Sequence, residues 1–192
     1  MFEGFEHSKY TVHKQFFRLF GGAFRIFGPD GQLVLYADMK AFRLKEDIRL
    51  YTGPDMAQEL LLIKARQILD WSAAYDVIDA STNEKVGALK RKGWQSLLRD
   101  SWIIMDANDQ EIGAVIEDSM ALALVRRLLT NLVPQTFHVD IGSVPVCVYR
   151  QRFNPFILKI DVDFTPDFNK LLDRRLGLAA AVLLSAIEGR QQ

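Results

Sequence analysis

The chain has 192 residues, 49% hydrophobic and 25% charged, which is an ordinary globular composition and enough for one domain with a substantial core. Lysine plus arginine and aspartate plus glutamate number 24 each, so net charge gives no reason to expect a nucleic acid or an acidic membrane as partner, although local charged patches can still matter. The single cysteine, Cys147, excludes an internal disulfide framework, and its apolar neighbours predict a buried, inert thiol. Residues 1–7 lack the basic and apolar regions of a secretory signal, which predicts a cytoplasmic protein.

Short strands separated by polar turns dominate the chain up to about residue 163. Three segments (24–36, 74–89 and 101–115) each contain an aromatic or β-branched strand, a turn rich in Asn, Asp or Gly, and a returning strand, which is typical of a β-hairpin. Strands are predicted near 10–18, 23–27, 32–38, 42–50, 59–66, 74–79, 86–91, 101–106, 112–117, 136–141, 144–150 and 156–163. Closing these antiparallel strands into a barrel would remove their exposed edges.

Two helices are predicted among or after the strands. The first runs from about 119 to 132, is strongly amphipathic and ends before Pro134. The second is predicted to begin at a Thr165 N-cap followed by Pro166, and to continue to about Glu188. Its segment 176–187 is apolar on every side and must be surrounded. The predicted fold is mainly β (α+β): one domain, residues 1–192, with a closed barrel of about twelve antiparallel strands around a central C-terminal helix.

The order of these elements resembles the tubby C-terminal-like superfamily, and within it the LURP-one-related and phospholipid-scramblase branch. The resemblance rests on residues 24–31, on 75–79 with Val86-Gly87, on 102–106 with Ile112-Gly113, and on 160–164 before the last helix. It implies a twelve-stranded barrel around a central helix. Scramblase-like relatives carry a lipidated cysteine cluster and an acidic calcium segment. Here the corresponding segment, 149–155, is basic, so neither the calcium site nor lipid scrambling is expected.

Tubby-like relatives bind phosphoinositides through basic surface residues, and two local features suggest a similar role here. Three consecutive cations lie close to a tryptophan and a further arginine, a combination that could hold an anionic headgroup: Lys90, Arg91, Lys92, Trp94 and Arg99. The alternative is a solvated strand end. The predicted helix 119–132 could lie on a membrane with Arg126 and Arg127 at the headgroups, or it could cap one end of the barrel.

The sequence contains no pattern that indicates catalysis, a metal site or a cofactor. The histidines His7, His13 and His138 are scattered without metal-ligand spacing. Asp161 and Asp163 share one face of a strand, where a face that is solvated or paired with arginine is the interpretation favoured over acid–base chemistry. We therefore expect a non-catalytic binding or scaffold module for an anionic phospholipid or a protein partner, cytoplasmic and peripheral at a membrane. The alternatives are a lipid-scrambling membrane protein and an enzyme with an unrecognised site.

Overall fold

A computed structural model describes residues 2–15, 22–39, 47–66, 74–91, 101–118, 135–152 and 157–188. Within them, twelve strands form one closed antiparallel barrel in which each strand lies beside its neighbours in the chain, and β1 lies beside β12. The strands are β1 Lys9–Gln15, β2 Gly22–Phe27, β3 Leu33–Met39, β4 Ile48–Tyr51, β5 Glu59–Ala65, β6 Ala74–Asp79, β7 Lys85–Arg91, β8 Ser101–Met105, β9 Glu111–Glu117, β10 Thr136–Ile141, β11 Val144–Arg152 and β12 Ile157–Asp163. A 3-10 helix, Glu3–Phe5, precedes them, and one α-helix, α1, Arg174–Glu188, follows. The predicted barrel with one C-terminal helix is confirmed.

Five short hairpin turns lie at one end of the barrel, at 28–32, 52–58, 80–84, 106–110 and 142–143; we call this the turn end. Each turn contains one residue with a left-handed backbone: Gly31, Met56, Asn83, Asp109 and Gly142. Each hairpin also has one extra residue in its second strand near the turn, which shifts the register by one. Such bulges increase the twist of a sheet and therefore help it to close.

An aspartate organises four of these five turns. Its carboxylate accepts a hydrogen bond from the backbone amide two residues later, at 2.8 to 3.4 Å, which is an Asx-turn. The four aspartates are Asp30, Asp55, Asp79 and Asp106. The polar turns of the sequence repeat are therefore explained by local backbone chemistry, independently of any ligand.

Helix α1 occupies the interior of the barrel. It packs against β1 and β12 on one side of the ring and against β6 and β7 on the opposite side. Its side chains from Leu176 to Ala186 are buried all round. The Tyr149 hydroxyl donates to the Gly177 carbonyl at 2.8 Å, and the Lys14 ammonium donates to the carbonyls of Ser185 at 3.1 Å and Ala186 at 3.4 Å. Lys14 thereby satisfies carbonyls at the last turn of the helix, where a cation is favourable.

The predicted start of this helix at Thr165 is wrong. Both the amide and the hydroxyl of Thr165 donate to Asp163, and α1 begins only at Arg174. The N-cap is Asp173, whose carboxylate accepts the Arg175 amide at 2.9 Å. The Arg175 guanidinium also donates to Asp79 at 2.6 Å, so the β6–β7 turn holds the beginning of the helix.

Replacing Asp79 with asparagine should destabilise the protein by about 1–2 kcal/mol at neutral pH. Partial burial favours the neutral acid, but hydrogen bonds from Ser81, Arg175 and Thr82 outweigh it and lower the pKa of Asp79 to about 2. A carboxyl whose pKa is lowered on folding stabilises the protein above its unfolded pKa, near 3.9, and that contribution disappears as the pH falls toward 2. Urea unfolding at several pH values would measure it.

The matched control is Asp55→Asn, since Asp55 makes the same Asx-turn but contacts no described residue of α1. It should cost less, and the difference between the two variants should vanish near pH 2. Equal losses at neutral pH would show that the contact between Asp79 and Arg175 contributes nothing.

Candidate functional site

A groove of about 600 Å³ crosses the outer surface of the barrel over β1, β11, β12 and the β2–β3 turn. Its residues alternate along each strand with side chains that point inward and are buried, such as Val12 and Ile160. Four cationic side chains line it: Lys9, Arg150, Arg152 and Lys159. Two carboxylates, Asp161 and Asp163, lie among them. We call this surface the basic groove.

Both carboxylates of the basic groove already have partners. Asp163 lies 3.6 Å from the Lys9 ammonium, and Asp161 pairs with Arg152 and accepts a hydrogen bond from Thr11 at 3.2 Å. Partial burial raises the pKa of Asp163, but hydrogen bonds from Thr165 and the charges of Lys9 and Arg150 lower it overall. The predicted pairing with arginine is seen for Asp161, whereas Asp163 lies beside Lys9 and accepts hydrogen bonds from Thr165.

The register places four basic side chains in one line across the outer face. Arg152 lies opposite Lys159, Lys159 opposite His13, and His13 opposite Arg25. We call these four residues the basic row. Like charges directly opposite each other on neighbouring strands are unfavourable. Among the described residues, Arg152 pairs with Asp161, whereas neither Lys159 nor Arg25 makes a hydrogen bond or ion pair, so the cations of the row outnumber the carboxylates described beside it.

The imidazole of His13 packs on an aromatic wall of the groove. Its ring centroid lies 4.7 Å from that of Phe27, with the planes tilted by 52°. The pKa of His13 lies below its ordinary value, mainly because the ring is partly buried. The positive charges of Lys159, Arg152 and Arg25 lower it further, while Asp161 acts in the opposite direction. Both burial and the three permanent cations therefore favour the neutral imidazole of His13.

The predicted headgroup site is only partly described. Lys90 and Arg91 are successive residues of β7 and therefore point to opposite faces. Arg91 shares the inward face with buried Leu89 and lies opposite buried Trp102, whereas Lys90 points outward. Lys92, Trp94 and Arg99 lie outside the described residues, so a single surface formed by all five stays a prediction.

The predicted membrane-surface helix 119–132, with Arg126 and Arg127, also lies outside the described residues. The strands that flank it, β9 and β10, meet at the barrel end opposite the turn end, as do β7 and β8. Arg152, the last residue of β11, lies at that same end. Within the described part of the chain, no helix has the length and apolar character needed to cross a membrane.

Two other sets of titratable groups are explained by burial or by ion pairing within the fold. Cys147 is buried, as predicted, and burial raises the pKa of its thiol well above its ordinary value. On the outside of β5–β7, Arg66 and Lys85 share the carboxylates of Asp76 and Asp109. Among the described ranges, no three His, Cys, Asp or Glu side chains are grouped as metal ligands.

Sequence reasoning missed the basic groove as a site. The available signal was the alternation of Arg150 and Arg152 and of Lys9, Thr11 and His13, which predicts that each set shares one strand face. In comparisons with known proteins, the chain matches no family model and no curated protein.

Proposed function

We propose that the protein is a non-catalytic binding module of the LURP-one-related, scramblase-like type, and that its basic groove recognises the anionic headgroup of a phospholipid. The observation that carries the proposal is the basic row, in which Arg152 lies opposite Lys159, while Lys159 and Arg25 flank His13 from the neighbouring strands. A bound anion would relieve their repulsion and accept their hydrogen bonds.

The helix inside the barrel supports ligand binding on the outer surface. Barrels that hold a ligand usually do so in the interior. Here α1 fills that space with side chains that are buried on every side, from Leu176 to Ala186. The groove on the outer face, of about 600 Å³, is open to solvent: the side chain of Arg152 is 66% exposed and that of Lys9 58%.

Flotation with vesicles tests the proposal. Vesicles of phosphatidylcholine, alone or with phosphatidylserine or a phosphatidylinositol phosphate, would be mixed with the full chain. We expect binding only where anionic lipid is present. The double variant Arg150→Gln/Lys159→Gln should bind about thirtyfold more weakly, because each cation near a membrane surface contributes about 1 kcal/mol.

Two matched variants separate the groove from the sites predicted from sequence. Lys90→Gln/Lys92→Gln and Arg126→Gln/Arg127→Gln remove the same number of charges elsewhere, and both should keep most of the binding. If either of them abolishes flotation while the groove variant binds normally, the groove is not the site. Fluorescent lipid should stay in its own leaflet; movement across the bilayer would favour the scramblase alternative.

A further inference from the structure

The position of His13 within the basic row makes it a candidate proton acceptor. Lys159 of β12 lies on one side of it and Arg25 of β2 on the other, with Arg152 of β11 beyond Lys159. All three are permanent cations. A proton on His13 would add a fourth positive charge, which the repulsion between these cations disfavours.

Negative charge near His13 is limited among the described residues. Asp161 of β12 is the carboxylate that acts on the imidazole, and it already pairs with Arg152 and accepts from Thr11. Phe27 of β2 contacts the ring without carrying charge. The permanent cations around His13 therefore outnumber the carboxylates, and this excess can be neutralised by a ligand.

We propose that the basic row selects a dianionic phosphate group over a carboxylate, and that His13 takes up one proton when this group binds. The inference rests on the proposed function, since it assigns the ligand class and the proton linkage of the same groove. Asp161 balances one of the three cations, so a carboxylate ligand, with one negative charge, would still leave the described part of the row positive. A phosphate monoester has nearly two at neutral pH and three acceptor oxygens, and the protonated imidazole adds an N–H donor to them.

The sign of the pH effect follows from linkage. The dianion raises the pKa of His13 from the lowered value that the neighbouring cations and partial burial give it, so binding is accompanied by proton uptake. Affinity therefore increases as the pH falls through the pKa of the bound state, and it levels off below the pKa of the free state. Each unit by which binding raises the pKa corresponds to a tenfold gain in affinity.

NMR titration of the His13 imidazole in the full chain, from about pH 8 to pH 5, tests both parts of the proposal. Sulfate is the first probe because it keeps two charges throughout this range, and acetate is the carboxylate comparison. Glycerol phosphate and vesicles containing a phosphatidylinositol phosphate then distinguish a free ligand from a lipid one. We expect sulfate and glycerol phosphate to raise the pKa of His13 by about one unit, and acetate to leave it unchanged.

Two histidine variants provide the controls. His13→Gln should remove the pH dependence of sulfate affinity, whereas His138→Gln, outside the groove and beside Asp118, should retain it. If anions bind but the pKa of His13 does not move, or the pH dependence survives His13→Gln, the proton linkage is wrong while the proposed function stands. An equal response to acetate overturns the ligand class. If neither vesicles nor anions bind at any pH, the proposed function fails as well.

Discussion

Replacing Ala180 with aspartate is expected to abolish cooperative folding. Ala180 lies within α1 and is 3% exposed, inside a barrel that surrounds the helix with apolar side chains. A carboxylate there loses its hydration without gaining a partner, which costs several kcal/mol. Because a domain is stable by only about 5–15 kcal/mol, this one change removes much of the margin. Thermal unfolding followed by circular dichroism would show a lost or strongly lowered transition.

Two controls separate the charge from the added volume. Ala180→Ser adds one oxygen, whose hydroxyl can donate to the carbonyl four residues earlier, as Ser185 does to Ala181 at 2.7 Å. It should cost about 1–2 kcal/mol. Asn169→Asp adds the same charge at an exposed position and should change little. A fully cooperative Ala180→Asp protein would mean that α1 is not enclosed.

Replacing Gly113 with alanine is expected to destabilise the barrel by about 3 kcal/mol. A Cβ atom on Gly113 would lie 2.1 Å from the backbone oxygen of Asp140, so β9 and β10 would have to separate where they pair. Gly87, at the corresponding position of the preceding repeat, is similar, since its Cβ would lie 2.5 Å from the Met105 oxygen. Denaturant unfolding would measure the loss as a lower midpoint with an unchanged slope.

Gly142→Ala is the matched control for Gly113→Ala. It changes a glycine whose backbone is left-handed but whose added Cβ would touch no other atom. Gly142 has a φ of +60° and would place its Cβ in open space. The left-handed backbone alone should cost about 1 kcal/mol. A larger loss at Gly142 than at Gly113 would show that turn conformation, and not the approach of the strands, sets the requirement for glycine in the repeat.

The strands were predictable because their signals are local. The predicted strand 74–79 coincides with β6, and 136–141 coincides with β10. Over the first four residues of both strands, partly buried and buried residues alternate, with the period of two that the sequence shows. The polar turns were predictable for the same reason, since an aspartate and one left-handed residue determine the turn within a few positions.

The start of α1 was not predictable because tertiary contacts decide it. Thr165-Pro166 satisfies the rules for a helix N-terminus, but Thr165 bonds to Asp163 instead. The structure uses Asp173, and Arg175 is held by Asp79, which is 96 residues away in the chain. No local pattern indicates that partner.

The basic groove was not predictable as one site, since it combines β1, the first strand of the barrel, with β11 and β12, the last two. Alternation could assign Arg150 and Arg152 to one face, but not place β1 beside β12. The same alternation argues against treating Lys90 and Arg91 as one patch, because neighbours on a strand point to opposite sides.

The pairing of β1 with β12, which closes the barrel, also constrains how the protein folds. Thr11 donates a hydrogen bond to Asp161 across this pair of strands, and the two residues are 150 positions apart in the chain. Closing the barrel therefore requires contacts between residues that are distant in sequence. Chains that depend on such distant pairings fold slowly, on the order of milliseconds to seconds. During synthesis, every strand leaves the ribosome before α1, the element that covers their apolar faces. The native barrel can therefore form around α1 only after this helix has been synthesised.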